Sequence, residues 1–182
     1  MDVTPLNIPD VLLIEPHVFE DARGFFFESF REDIFKKKTL LDISFVQENH
    51  SKSSRGVLRG LHYQVPPYAQ GKLVRVIQGE VLDVAVDIRR SSPTFGQHIA
   101  EVLSSSNKKQ LYIPKGFAHG FLTLSNFSEY SYKATDFYSF DHERCILWND
   151  PILNIKWPTN MAIELSTKDL SGISFDQVDF PY

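Results

Sequence analysis

Cysteine is nearly absent from this sequence of 182 residues, in which Cys145 stands alone. One thiol cannot form an intramolecular disulfide, so the disulfide-stapled secreted scaffolds are excluded. Long hydrophobic runs are also missing: the longest early stretch covers residues 11–14, whereas a membrane span needs about 20 residues. The first residues lack the basic start and apolar run of a signal peptide. We therefore expect a cytoplasmic protein without a membrane partner.

An excess of positive charge is absent too. Lys and Arg number 19 against 23 Asp and Glu, which gives a net charge of −4. No basic stripe is available to neutralise a nucleic-acid backbone, so nucleic acid is excluded as a partner. A length of 182 residues suffices for one packed core. We expect a single domain over residues 1–182.

Hydrophobic periodicity predicts mostly β-structure. Residues 73–88 read as two strands around Gly79 and Glu80, which predicts a hairpin within one sheet. Further β-rich runs, separated by clusters of Gly, Pro, Ser or Asn, cover residues 25–30, 99–103, 110–113, 120–124 and 130–135. This spacing favours an all-β sandwich or barrel. The tail from Asp150 onward is expected to pack on it.

Two short helices are predicted from their capping residues. Ser29 with Glu32 has the form of a capping box that opens a helix through about Lys37. Ser166 has the same relation to Asp169, which places Asp169 in the first turn of a second helix. Neither helix changes the predicted fold class.

Two segments carry histidines in a context that suits a functional site. Residues 59–64 follow a turn and predict a strand with Arg59, Leu61 and Tyr63 on one face and Gly60, His62 and Gln64 on the other. Residues 113–120 form a Pro/Gly turn that delivers His119 at the start of a strand. The two segments are expected to meet inside one barrel.

The second segment resembles the later motif of the cupin jelly rolls, and His62-x-Gln64 stands in the place of the first motif. Metal-binding cupins supply His-x-His, a following Glu and the later His. Here Gln64 replaces a His, and Tyr68 and Ala69 stand where the Glu would be. Two imidazoles make a poor metal site, because zinc and iron sites want three or more protein ligands. We therefore expect no metal ligands.

Six motifs together resemble the dTDP-4-dehydrorhamnose 3,5-epimerase family, in that family's order and over nearly the whole chain. They are residues 23–28 (RGFFFE), 45–51 (FVQENHS), 56–62 (GVLRGLH), 71–74 (GKLV), 114–121 (PKGFAHGF) and 132–135 (YKAT). The resemblance implies a homodimeric cupin-type jelly-roll sandwich or barrel with a few short peripheral helices. It also implies inversion at C3 and C5 of a 4-keto-6-deoxyhexose attached to dTDP, without a cofactor.

The implied chemistry assigns a role to each of four catalytic residues. A hydrogen next to a ketone is weakly acidic, so the enzyme needs a base, a donor at the enolate oxygen and an acid on the opposite face. The resemblance nominates His62 as the base, Asp169 as the carboxylate that orients it, Lys72 at the C4 oxygen and Tyr132 as the opposite acid. Asp83 is expected behind His62 or Lys72.

For substrate binding the resemblance implies a wider set of polar and aromatic residues. Arginine suits a pyrophosphate, amides suit a pyrimidine edge, and an aromatic ring can stack on thymine. The residues concerned are Arg23, Glu28, Gln47, Asn49, Arg59, His119, Glu143, Lys168, Phe19 and Phe26.

Other interpretations remain open from the sequence. The enzyme could invert only C5 or C3, or act on a related sugar nucleotide. A sugar-nucleotide-binding cupin without catalysis and a metal-dependent cupin oxygenase or isomerase are further alternatives. Structurally, His62 could be a hydrogen-bonded core residue, Lys72 a strand-end lysine and Tyr132 an ordinary strand aromatic.

Overall fold

The computed structural model describes residues 1–158 and 160–182. Within them, two helices are present, α1 (Glu32–Thr39) and α2 (Thr167–Leu170), with single 3₁₀ turns at Phe140–His142 and Phe175–Gln177. The strands in chain order are β1 (Asp2–Pro5), β2 (Leu12–Glu15), β3 (Phe19–Asp21), β4 (Gly24–Phe26), β5 (Gln47–Ser54), β6 (Leu58–Gln64), β7 (Lys72–Gln78), β8 (Glu80–Asp87), β9 (His98–Ser104), β10 (Gln110–Ile113), β11 (Phe117–Thr123), β12 (Phe127–Ala134) and β13 (Glu143–Cys145).

Most strands form two antiparallel sheets that face each other. The first has the order β1-β2-β10-β7-β12-β5 and the second the order β13-β6-β11-β8-β9. Alternate side chains of both sheets, such as Val74 and Leu111 from the first and Ala85 and Phe121 from the second, meet in one apolar core. The predicted all-β sandwich with few short helices is confirmed, and its crossing connections are those of a jelly roll.

The predicted hairpin at Gly79 is wrong in its pairing. Both strands form, but β7 pairs with β10 and β12, whereas β8 pairs with β9 and β11 in the other sheet. Gly79 turns the chain from one sheet to the other with φ +83°, and a Cβ there would lie 2.1 Å from the Phe127 carbonyl oxygen. Sequence neighbours often pair, but periodicity alone does not say in which sheet a strand lies.

The helix predictions had different outcomes. Helix α1 forms, but its N-cap is Arg31 without a side-chain cap, so the capping box at Ser29 is wrong. Its Phe35 packs on the outer face of the first sheet, and this packing stabilises the helix without the cap. For α2 the prediction is confirmed, because the Ser166 side chain accepts a hydrogen bond from the Asp169 backbone N–H.

The C-terminal tail packs on the sandwich, whereas the β3–β4 hairpin does not pair with either large sheet. The tail after Asp150 packs as predicted, with Trp157, Phe175 and Phe180 buried on the outer face of the second sheet. The predicted strand at residues 25–30 is shorter, since β4 ends at Phe26 and pairs only with β3 in a separate two-stranded hairpin. Among the described residues, no helix is long and apolar enough to cross a membrane.

Candidate active site

A cavity of about 270 Å³ opens between the two sheets at one end of the sandwich. One wall comes from β5, β7 and β12 of the first sheet, and the opposite wall from β6, β11 and β13 of the second. The cavity brings together eight of the residues that the sequence nominated, namely Asn49, Arg59, His62, Lys72, His119, Tyr132, Glu143 and Lys168.

An irregularity in β6 decides which of its side chains reach the cavity. His62 lies opposite His119 but Arg59 lies opposite Phe121, so Gly60 and Leu61 together face the single residue Gly120. This β-bulge shifts by one residue the alternation of side chains between the two faces of the sheet. Arg59 and His62 therefore both line the cavity, and the prediction that they lie on opposite faces is wrong.

Gly60 permits the close contact between β6 and β11 at this bulge. A Cβ on Gly60 would lie 2.5 Å from the Gly120 Cα, and the residue has φ +135°. Any side chain would push the two strands apart and separate His62 from His119. The glycine thus fixes the distance between the two histidine-bearing strands.

His62 and Asp169 form a close pair. His62 Nε2 lies 2.5 Å from Asp169 Oδ1, and Asp169 is almost fully buried in the first turn of α2. The carboxylate also accepts hydrogen bonds from the Ser166 hydroxyl at 2.7 Å and the Gly60 N–H at 3.3 Å. Burial would raise the Asp169 pKa, but the hydrogen bonds from His62 and Ser166 outweigh it and hold the pKa below its ordinary value. Asp169 is therefore an ionised acceptor for Nε2–H, which leaves Nδ1 as the ring nitrogen with a free lone pair.

Lys72 enters the cavity from the other sheet, at the start of β7. Its Nζ lies 5.7 Å from the centre of the Tyr132 ring. Burial lowers the pKa of Lys72 to about 8, against the opposing effect of the Asp83 and Glu143 carboxylates. A poorly solvated ammonium of this kind interacts strongly with any negative oxygen that develops beside it.

Tyr132 lies on β12, across the cavity from His62. Burial, and then the Glu143 charge, raise the pKa of Tyr132, while the Asn49 side chain lowers it. The net increase keeps the phenol protonated at neutral pH. A protonated hydroxyl on this wall is chemically able to donate a proton toward the wall that carries His62.

Asp83 has different partners from those expected. It is fully buried, it lies 3.1 Å from His119 Nε2, and it accepts a hydrogen bond from the Tyr130 hydroxyl at 2.5 Å. Its hydrogen bonds thus go to His119 and Tyr130 rather than to His62 or Lys72, because β8 pairs with β11. Its relation to Lys72 is electrostatic, since the Asp83 charge opposes the fall in the Lys72 pKa. Burial lowers the pKa of His119, against the effect of Asp83.

A chain of hydrogen bonds borders the cavity mouth. Lys168 Nζ lies 2.7 Å from Glu143 Oε1, and Glu143 Oε2 accepts from the Tyr138 hydroxyl at 3.0 Å. The Tyr138 N–H donates to Gln47 Oε1, and Gln47 Nε2 donates to Asn49. Gln47 thus contacts the lining residues without lining the cavity itself. Four predicted binding residues are joined in this border.

The remaining predicted binding residues do not reach the cavity of their own chain. Phe19, Arg23 and Phe26 lie on the exposed β3–β4 hairpin, where Arg23 pairs with Asp21 at 2.5 Å. Glu28 is exposed on the segment that follows. Neither large sheet pairs with this hairpin, so strand pairing does not hold it against the cavity.

The residues at the cupin metal positions do not fit a metal. Gln64 donates to the backbone oxygens of Tyr68 and Phe137 and accepts from the Ser139 N–H at 2.7 Å. His119 Nε2 is hydrogen-bonded to Asp83. With Gln64 held by backbone groups and no carboxylate at the Glu position, the cupin set retains two imidazoles, His62 and His119, which are too few for a zinc or iron site. Gln64 fixes the loop that carries Tyr138 instead.

Sequence reasoning missed several lining residues, among them Tyr130, Phe121, His50 and Ser51. Strand alternation would have found two of them. Tyr130 lies two residues before Tyr132 on β12, and Phe121 lies two after His119 on β11, so each pair shares a face. His50 and Ser51 end the motif at residues 45–51, so their place in that motif was the signal that could have found them.

Known proteins resemble this chain over its full length. The sequence model of dTDP-4-dehydrorhamnose 3,5-epimerase matches residues 5–177. A protein of that name from Pseudomonas aeruginosa is 59% identical over 182 residues and is covered fully, as is this chain. The crystal structure of a dTDP-6-deoxy-D-glucose-3,5-epimerase from Legionella pneumophila, in complex with dTDP-4-keto-L-rhamnose, superposes with TM-score 0.95 at 47% identity, covering 98% of this chain and 94% of the other. A 3′-monoepimerase from Streptomyces bikiniensis has TM-score 0.89 at 32% identity, with 97% and 88% covered.

Proposed function

This chain belongs to the dTDP-4-dehydrorhamnose 3,5-epimerase family, and from that premise we propose how the cavity at His62 performs the reaction. The protein is an isomerase that acts on a dTDP-linked sugar. It inverts C3 and C5 of dTDP-4-dehydro-6-deoxy-D-glucose to give dTDP-4-dehydro-L-rhamnose. The greater similarity to 3,5-epimerases than to the 3′-monoepimerase supports inversion at both carbons.

One observation supports two-sided proton transfer. His62, paired with Asp169, lies on one wall of the cavity, while Lys72 and Tyr132 lie on the wall formed by the other sheet. Inversion needs removal of a proton from one face of a carbon and return of a proton to the other face. A base and an acid on opposite walls meet this requirement.

The proposed sequence begins with His62 Nδ1, which takes the proton from a carbon next to the C4 ketone. The buried Asp169 carboxylate stabilises the imidazolium that forms. Lys72 donates to the C4 oxygen as that oxygen gains negative charge. Tyr132 then protonates the carbon from the opposite face, and the ketone forms again. His62 then releases its proton to solvent and Tyr132 takes one from solvent, after which the same steps at the second carbon complete the double inversion.

Solvent exchange followed by NMR tests this function. In deuterated water the enzyme should introduce deuterium at C3 and C5 of the 4-keto sugar nucleotide. A sugar-nucleotide-binding protein without catalysis would bind the substrate and leave both positions protonated. Exchange at only one carbon would identify a mono-epimerase instead.

Tyr132→Phe should separate exchange from inversion. The variant keeps His62 and Asp169, so deuterium still enters the substrate, but the inverted product should form at least about 100-fold more slowly because the proton donor is lost. NMR of the same reaction measures both quantities. Tyr68→Phe, whose side chain lies outside the cavity, is the control. Wild-type rates of inversion in Tyr132→Phe would place the acid elsewhere.

We also propose a homodimer in which the β3–β4 hairpin completes the partner's binding site. The cavity is smaller than the range of about 300–1,000 Å³ that is usual for ligand sites, although the substrate carries a nucleotide as well as a sugar. Phe19 and Phe26 are highly exposed aromatic residues close to Arg23. Exposed aromatics next to an arginine suit a base and a diphosphate on another surface.

Subunit mixing tests the shared site. His62→Ala and Arg23→Ala homodimers should each be impaired, the first in kcat and the second in KM. A mixed dimer contains one site with an intact His62 from one protomer and an intact Arg23 from the other, so mixing should restore activity at low substrate concentration. If Arg23 acts within its own chain, mixing restores nothing. Light scattering on the wild type should give the mass of a dimer.

Two further proposals concern the chain as a whole. We propose that residues 1–182 form one domain, which is supported by the C-terminal tail packing on the same sheet that carries His62. We also propose a cytoplasmic location, in keeping with the single, reduced cysteine.

A further inference from the structure

Cys145 lies beside the His62–Asp169 pair, although it has no part in the proposed reaction. Strand β13 pairs with β6, and Cys145 is directly opposite His62 in that register. Opposite residues of antiparallel strands point their side chains to the same face. One ring nitrogen of His62, the Cys145 sulfur and one Asp169 carboxylate oxygen all lie within 4.8 Å of one another. Three separate elements, β6, β13 and α2, therefore meet at this point.

These three donors are of the kinds that bind borderline and soft divalent metals. Zinc takes sulfur, imidazole nitrogen and carboxylate oxygen at about 2.0–2.3 Å, and three protein ligands with one open position are sufficient. The sulfur selects against Mg²⁺ and Ca²⁺, which prefer oxygen. His62 also lines the cavity, so an ion can enter from there and keep its fourth position open to it.

We propose that His62, Cys145 and Asp169 form an inhibitory binding site for Zn²⁺ and chemically similar cations such as Co²⁺ and Cd²⁺. The nearby Lys168 ammonium opposes a cation, but its charge is balanced by Glu143 at 2.7 Å. The proposal is supported by the short distances between the three ligand atoms and by their combination of sulfur, nitrogen and oxygen.

Binding changes the protons of the pair in a defined way. The metal takes the Cys145 sulfur as a thiolate, and the thiol proton goes to solvent. The metal also takes the lone pair of His62 Nε2, so the imidazole proton moves to Nδ1. A protonated Nδ1 cannot accept a proton from substrate. This inhibition rests on the proposed role of His62, whereas the binding itself does not.

Cobalt titration of the full-length, metal-stripped enzyme tests the site. A bound Co²⁺ should give a thiolate-to-cobalt charge-transfer band, and since Cys145 is the only cysteine in the sequence, the band identifies the ligand. Cys145→Ala should lose the band, bind Co²⁺ at least tenfold more weakly and keep the basal epimerase rate. Its inhibition by Zn²⁺ should require at least tenfold more metal, and a chelator should reverse inhibition of the wild type.

His62→Ala gives a readout that does not depend on activity. It should weaken cobalt binding as Cys145→Ala does, although its reaction is already lost. Equal zinc inhibition of wild type and Cys145→Ala would overturn the proposal, and so would cobalt binding without the charge-transfer band or no binding at millimolar metal. If the wild-type protein shows the charge-transfer band but no epimerase activity, the proposed function is contradicted and the proposed metal site is still supported.

Discussion

His62→Ala should abolish deuterium incorporation at both C3 and C5 and lower kcat by about 10³- to 10⁴-fold, the upper range for loss of a general base. Both carbons lie next to the same ketone, and one imidazole on one wall of the cavity serves both. The Asp169 carboxylate cannot substitute, because it is buried behind His62 and held by Ser166. NMR in deuterated water measures exchange, and a rate assay measures the product.

A matched histidine variant makes this result specific. His17→Ala removes an exposed histidine that is hydrogen-bonded to Asp2 and lies outside the cavity, so this variant should exchange both positions at the wild-type rate. Binding of dTDP to His62→Ala, measured by calorimetry, checks that the variant is folded. Exchange at either carbon close to the wild-type rate in His62→Ala would assign the base at that carbon to another residue.

Lys72→Met should lower kcat by about 10²- to 10³-fold, as expected for loss of one donor to a developing oxyanion. Methionine keeps the length and the apolar stem of lysine but removes the charge that stabilises the enolate. Exchange should fall at C3 and C5 together, because both enolates place their charge on the C4 oxygen. Lys37→Met, on the exposed face of α1, is the control and should have the wild-type rate. Loss of exchange at one carbon alone would contradict the proposed role.

The pH dependence gives a second test of Lys72. Burial lowers the pKa of Lys72 to about 8, so the ammonium is present below that pH and is lost above it. The kcat/KM of the wild type should therefore fall as pH rises through about 8. Lys72→Arg keeps its charge in this range, since a guanidinium does not deprotonate, and should lose this alkaline limb while being slower overall. An unchanged limb in Lys72→Arg would assign it to another group.

Much of the fold follows from local patterns. β-rich sequence runs place β8, β9 and β10 within one residue of their observed bounds, whereas β12 begins three residues before the predicted run. Ser166 marks the start of α2 because its cap depends only on residues nearby. The pairing of the strands depends on distant parts of the chain. Gly79 has the same turn signature whether the two strands pair or separate, and the packing of the two sheets decides that they separate.

In the candidate site, too, some features follow from the local sequence and others depend on the tertiary structure. The family resemblance nominates His62, Lys72, Tyr132 and Asp169 as candidates, and the first three lie within the quoted motifs. Their arrangement on two facing walls depends on the sandwich, and Arg59 reaches the cavity only because of the bulge at Gly60. The contact of Asp83 with His119 follows from the pairing of β8 with β11, and its contact with Tyr130 from the packing of the two sheets.

By itself, the sequence determined the family, the β-rich class and the candidate residues, because these depend on residue types, short spacings and local periodicity. Only the tertiary structure decided which sheet each strand joins, which side chains share the cavity and that Cys145 lies beside His62 and Asp169. Contacts between residues more than a hundred positions apart, such as His62 with Asp169, depend on the balance of packing over the whole sandwich. No local pattern contains that information.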